Sequence, residues 1–123
     1  STSEAKLGVV VELARSSRSV CRCCGEAIEK GAARCGLEVR VRARWSTLWC
    51  HARCFLSSCT RGARYRGSRA SSCSGSGRPI ARGATIVRFS VGDASAKHLP
   101  ESASKIVGAI ASLVGADAAR EWL

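Results

Sequence analysis

The chain has 123 residues, a formal net charge of +11, six aromatic side chains and no Met. That length fits one ordinary domain or two very small ones. So few large apolar residues exclude an extensive core, and a module of this size needs a staple such as a metal or disulfides. No apolar run approaches a membrane span, and residues 7–11 are too short an apolar stretch for a signal peptide, so no membrane partner is expected. A chain that starts at Ser1 suggests a longer natural N-terminus.

Residues 9–14 read as a short strand leading into Cys21-x2-Cys24. Residues 33–44 alternate, with Leu37, Val39 and Val41 on one side and Glu38, Arg40 and Arg42 on the other, which predicts a half-exposed strand. The chain should turn around residues 45–47 and return over residues 48–50 as the partner strand. A short helix opens at residues 54–58, just after His51-x2-Cys54. Three thiolates and an imidazole in two tight pairs are what one tetrahedral structural zinc needs, so Cys21, Cys24, His51 and Cys54 are the candidate ligands. Cys23 and Cys50 sit beside them and compete for the same role, although their spacings are less favourable. Four protein ligands leave no open position for an activated water.

Eight Cys would also permit a secreted disulfide framework. The Cys/His pairing and the missing signal peptide favour a reducing compartment, nuclear or cytosolic. Cys23, Cys35, Cys50 and Cys59 are then free thiols.

Residues 57–77 hold seven Ser, four Gly and four Arg, which predicts a flexible basic linker over residues 59–76. Beyond it lies a hidden repeat. Shifted by 52 positions, Cys21, Gly25, Ile28, Gly31 and Ala32 fall on Cys73, Gly77, Ile80, Gly83 and Ala84. His98-x2-Glu101 then takes the place of His51-x2-Cys54, and Ser76 that of Cys24. A neutral hydroxyl is a poor zinc ligand, so metal binding through Cys73, His98 and Glu101 is left open. Residues 101–115 read as an amphipathic helix with Ile106, Ile110, Leu113 and Val114 on one face and Pro100 suited to its first turn. This helix should cover the strand over residues 85–91, and Asp117 should cap a last turn ending at Trp122.

Charge is unevenly placed. Residues 40–91 contain eleven Arg and no acid, while nine basic and nine acidic residues balance elsewhere. A concentrated positive stretch attracts polyanions, and Arg, which outnumbers Lys sixteen to four, suits forked contacts to phosphate and stacking on bases. No Ser/His/Asp arrangement, paired acids or phosphate-cradling Gly loop is present, so the chain reads as a binding module rather than an enzyme.

The residues around the metal pairs carry a more specific signal. Residues 11–18 (VELARSSR) precede the first pair, Gly25-x2-Ile28-x-Lys30-Gly31-x2-Arg34 follows it, and Trp49-x-His51-x2-Cys54-Phe55 closes the unit. Over residues 6–57 this resembles the zinc finger of poly(ADP-ribose) polymerases and related DNA-repair enzymes, a module that senses strand breaks. The resemblance implies a small zinc-stabilised α+β unit, a short antiparallel sheet plus helix, over residues 1–58. A degenerate finger-like α+β unit follows over residues 77–123. One structural zinc, a nuclear location and binding to nicked or broken DNA are implied with it. Arg18 and Arg34 match the family's phosphate-contacting arginines, with Lys6, Arg15 and Arg22 assisting, and Arg40, Arg42 and Arg44 extend the basic surface. The family caps exposed bases from the loop between its central strands, where this chain offers Trp45 and Leu48; Trp49 matches a packing aromatic beside the zinc. Such fingers deliver a catalytic domain to damage, so a fragment of a larger repair or signalling protein is expected. A zinc module for RNA or a protein partner, without break specificity, is the alternative.

Overall fold

Alternating apolar residues between two turns make a ribbon, and this chain builds one twice. The computed structural model describes residues 8–117. Strands β1 (Val9–Leu13), β2 (Ala33–Val41) and β3 (Arg44–His51) form an antiparallel sheet in that order, followed by helix α1 (Ala52–Ser58). Strand β4 (Thr60–Arg64) then pairs with β7 (Thr85–Val91), which pairs with β8 (Ala94–His98). A two-residue ladder joins β5 (Ser71–Ser72) to β6 (Pro79–Ile80), and helix α2 (Pro100–Val114) closes the chain. The architecture is a small α+β one with antiparallel sheets and two helices. Among the described residues no helix is long and apolar enough to cross a membrane.

The repeat seen in the sequence has a hydrogen-bonded counterpart. Cys21 N–H donates to Glu26 O at 2.8 Å and Gly25 N–H to Cys21 O at 2.9 Å; Cys73 to Arg78 and Gly77 to Cys73 do so at the same distances. Gly31 N–H donates to Ala14 O, and Gly83 N–H to Tyr65 O. Gly31 and Gly83 both sit at positive φ (+87° and +84°), where a side chain would be strained, so the shared glycine has a backbone cause.

Four expectations change. The segment read as a linker contains β4, whose backbone pairs with β7 from Thr60↔Phe89 to Arg64↔Thr85. Ladder bonds use main-chain groups, so a Ser- and Gly-rich composition does not prevent them. The turn between β2 and β3 lies at Arg42 and Ala43, earlier than residues 45–47, and both residues have positive φ (50° and 67°). A tight hairpin turn with two positive φ values usually shows Gly or Asn, and neither is present to signal it. Third, β2 is exposed only at its end. Cys35 and Leu37 are buried on the core face, and Arg34 and Gly36 on the outer face because Trp49 crosses it, where a Cβ on Gly36 would come within 2.8 Å of its ring. Finally, the buried stripe of α2 is Ala103, Val107 and Ile110, flanked by Ile106 and Val114, while Leu113 is 40% exposed. Leu113 lies one position off that stripe. Asp117 ends the described region, and the turn expected at Trp122 lies outside it.

The two halves share their main core, and only a smaller cluster of Tyr65, Cys73, Ile80 and Ile86 belongs to the second half alone. Phe55 of α1 stacks on Phe89 of β7 with centroids 5.4 Å apart and planes 13° from parallel. Helix α2 packs against β1 and β2 of the first sheet as well as against β7 and β8. Phe55→Ala should therefore cost about 3–5 kcal/mol and lower the stability of both halves together. Denaturant unfolding followed at Trp45 or Trp49 and by hydrogen exchange in β7 is expected to give one coincident transition; two separate transitions would restore the two-domain reading.

Candidate metal centre

Each candidate ligand is placed by local backbone geometry. The isolated bridge Val20↔Ala27 folds residues 21–26 into a tight knuckle, and Gly25, at φ +79°, completes the turn. The knuckle presents Cys21 and Cys24 on one side. His51 is the last residue of β3 and the N-cap of α1, and Cys54 lies in the first turn of that helix. The four donor atoms of Cys21, Cys24, His51 and Cys54 all lie within 4.8 Å of one another. His51 Nδ1 is 3.4 Å from Cys24 Sγ and 4.0 Å from Cys54 Sγ.

These distances fit a tetrahedral ion. With metal–sulfur bonds of about 2.3 Å and metal–nitrogen bonds of about 2.0 Å, tetrahedral edges come to about 3.8 Å between sulfurs and about 3.5 Å between sulfur and nitrogen. Three soft thiolates and one imidazole form a donor set that could hold a metal ion and is consistent with zinc. Ligation through Nδ1 would require the ring proton on Nε2.

Electrostatics shows what a cation would supply to the cluster. Burial would push the Cys21 thiol up, but N–H groups of Cys24, His51 and Cys23 turn toward its sulfur and bring it down to about 6. The N–H groups of Cys23 and His51 approach at 3.4 and 3.3 Å. Burial and the neighbouring Cys21 push Cys54 up to about 12. One sulfur thus carries charge readily and makes the next reluctant to ionise. A divalent ion would remove that conflict by attracting every thiolate at once.

The second copy has lost this arrangement, and the register differs from the one expected. Leu99, not His98, stands where His51 stands: it follows directly on β8, caps the following helix and donates its N–H to Cys73 Sγ at 3.3 Å, as His51 does to Cys21. Ser102 consequently takes the place of Cys54, and Glu101 points to Arg78 at 3.0 Å. His98 falls where Cys50 falls, 1% exposed, with its ring edge on Phe89 and Nδ1 2.9 Å from Ser102 Oγ. Burial lowers its pKa, keeping the imidazole neutral. The space has closed, since a Cβ on Gly75 would run into Ser102 Oγ and approach His98 Nδ1 at 2.9 Å. Among the described residues no candidate metal group includes Cys73, His98 or Glu101.

The register shift has one source. Val39 pairs with Ser46 and two further pairs precede the turn, whereas Val91 pairs with Ala94 directly at the turn. The first hairpin therefore carries an extra tip, residues 40–45, where the second has only Gly92 and Asp93. All six tip residues are exposed, with Val41 at 55% and Trp45 at 48%.

The residues expected to contact DNA are spread over several places. Arg42 is in the turn, and Arg40 and Arg44 lie on the strands beside it. Trp45 is on β3, paired with Arg40 on the outer face. Leu48 is also on β3 but pairs with Leu37 on the opposite face, where it lines a groove of about 420 Å³ with Arg22, Val39, Val41 and Ala94. Trp45 and Leu48 therefore cannot cap the same base, as a shared loop would have allowed. Arg18 is exposed in the loop before the knuckle. Arg34 is engaged elsewhere. Only 8% exposed, it donates Nε and Nη2 to Glu12 Oε2 at 3.2 and 2.6 Å and Nη1 to Ser19 Oγ at 3.0 Å. Its guanidinium also stacks 3.7 Å from the Trp49 ring centroid. A guanidinium so occupied pins β1, β2 and the loop bearing Arg18 together, so Arg34 is placed as a clamp rather than a free phosphate contact. Arg15 lies 4.0 Å from the same carboxylate, and Lys6 is outside the described residues.

No protein-family model matches the chain, and no curated protein matches it. The site's own chemistry is thus the basis for any functional reading. Cys54→Ala should lower the metal content of the purified chain, whereas Cys73→Ser should leave it unchanged. Elemental analysis of the two variants checks this, and loss of metal from Cys73→Ser would place a ligand in the second copy.

Proposed function

We propose that the chain is a zinc-stabilised nucleic-acid-binding module of the poly(ADP-ribose) polymerase finger type, followed by a degenerate copy, and that it recognises DNA strand breaks in the nucleus. The hairpin tip at residues 40–45 carries this reading. It places Arg40, Arg42 and Arg44 around one half-exposed indole, and the second copy has nothing in its place. A side chain of this size is left half in water when packing does not require it there.

The mechanism divides into grip and discrimination. Phosphate contacts come from the arginines of the tip, with Arg18 on the loop tied through Ser19 to the outer face of the sheet. These contacts carry no base code and are equal for intact and broken duplexes. A broken end differs in one respect: its last base pair has lost a stacking neighbour and exposes an apolar face. Trp45 projects from the outer face of the ribbon and adds no charge, so it is suited to cover that face. Stacking of this kind contributes on the order of 1–3 kcal/mol. The zinc held by Cys21, Cys24, His51 and Cys54 would supply rigidity and no reaction step. It would fix the knuckle and the base of β3, from which the tip extends. A catalytic domain delivered by such a module would lie outside these residues.

Two variants separate the roles. Trp45→Ala is expected to narrow the affinity gap between nicked and intact duplex by about 5- to 100-fold while leaving the salt dependence unchanged. Replacing residues 40–45 by the Gly-Asp turn of the second copy should remove the gap and also lower the slope of log affinity against log salt by about 2–3. Equal binding of nicked and intact DNA by the unaltered chain would overturn break recognition. Preference for hairpin or single-stranded RNA over nicked DNA would make RNA the ligand instead.

A further inference from the structure

Beside the first metal set lies a second cluster of thiols that the nucleic-acid reading does not use. The sulfurs of Cys21, Cys23 and Cys50 all lie within 4.8 Å of one another. Cys59, the C-cap of α1, adds a fourth: its sulfur is 4.0 Å from Cys50 Sγ and 3.1 Å from Cys23 Sγ. Three parts of the fold converge here. The knuckle gives Cys21 and Cys23, the end of β3 gives Cys50, and the end of α1 gives Cys59. Cys50 and His51 are adjacent on a strand and so point to opposite faces, each toward its own set. Helix α1 opens on the first set, through His51 and Cys54, and closes on the second, through Cys59.

We propose that this protein holds a binuclear zinc centre in which Cys21 bridges two ions, one completed by Cys24, His51 and Cys54 and the other by Cys23, Cys50 and Cys59. The ligand count closes without remainder. Two tetrahedral ions offer eight positions, and seven side chains fill them when one thiolate is shared. Sulfur is the donor for that role, because a thiolate has several lone pairs and is polarisable enough to serve two dications. Cys59 stands outside the group whose sulfurs all lie within 4.8 Å, so closing the second site requires it to move toward Cys21. A tetrahedral zinc sets sulfurs about 3.8 Å apart, near the 4.0 Å between Cys50 and Cys59. The 3.1 Å between Cys23 and Cys59 is shorter than that edge and far longer than a disulfide of about 2.05 Å. Metal binding would require Cys23, which is exposed on the knuckle, to turn outward to the edge length. The second copy shows what the cluster does by its loss. There Gly75 stands at the position of Cys23 and His98 at that of Cys50, and the region packs through His98 and Phe89 instead.

The inference is independent of what the tip binds and is tested on the whole chain. The protein is purified under reducing conditions with zinc chloride, freed of loose metal and weighed by native mass spectrometry. Two zinc ions per chain are expected. Cys59→Ala and Cys23→Ser should each retain one, with circular dichroism unchanged; Cys23 is exposed, so its substitution does not disturb the core. Titration with cobalt(II) reports the bridge, since two cobalt ions sharing a thiolate couple antiferromagnetically and the magnetic moment per ion falls as the second site fills. One zinc per chain in the unaltered protein, with Cys23 and Cys59 open to alkylation or recovered as a disulfide, would overturn the proposal. So would two cobalt ions with no magnetic coupling.

Discussion

Convergence of several thiols on one point is the constraint from which the rest of the structure follows. Sulfurs within 4.8 Å of one another cannot all be charged without a counter-ion, and cannot act as ligands without charge. The fold prepares one of them in advance. Backbone N–H groups of the knuckle and of His51 turn toward Cys21 and hold it as the readiest anion of the set. The same bonds tie the knuckle to the end of β3, so the geometry that organises the ligands also organises the sheet. In a chain with few large apolar residues, a cation at this point would link the knuckle to the end of β3 and the start of α1.

The second copy shows how such a unit is built without the ligand set. Its knuckle and its N–H to sulfur bonds match those of the first. Cys73 remains, lowered to about 7 because the hydroxyl and N–H of Ser76 and the N–H groups of Leu99 and Gly75 offset its burial. The other three ligands have become Ser76, Leu99 and Ser102. Packing stands in the ligands' place: a 15-residue helix stands where the first copy has one of seven, and it reaches across to the first sheet. Phe55 and Phe89 join the copies at their centre. The first copy is then free to extend its hairpin, whose tip at residues 40–45 is exposed. Divergence of the two copies thus separates a stabilising half from a half able to carry a basic, aromatic tip.

Some of this was legible in the residues and some was not. Ligands that come in tight pairs are visible because each pair is set by one local turn, and the structure does bring Cys21, Cys24, His51 and Cys54 together. Positive-φ glycines made the repeat visible for the same local reason. The alternation of residues 33–41 showed β2 but not its end, since Arg42 and Ala43 adopt a glycine-like turn with no glycine to mark it. From that one error came the placement of Trp45 and Leu48 in a shared loop. The register of His98 was hidden in the same way, because only ladder pairing reveals that the second hairpin is shorter. Strand β4 was masked by composition, and the ion pair of Arg34 with Glu12 joins residues 22 positions apart that no local pattern links. Cys23 and Cys50 were visible only as competitors for the first set, and Cys59 as a free thiol, because the helix that brings Cys59 back to the knuckle is a tertiary feature.

The dependence of the fold on the cation can be measured directly by hydrogen exchange on the metal-loaded and metal-stripped chain. The account predicts that chelation removes protection from the amides of residues 21–25 and 49–54, with the loss spreading along β2 and β3, while the knuckle of the second copy at residues 73–78 stays protected longer. Unchanged protection of residues 21–25 and 49–54 after complete removal of metal would show that packing alone holds the first copy, and would contradict the account at its base.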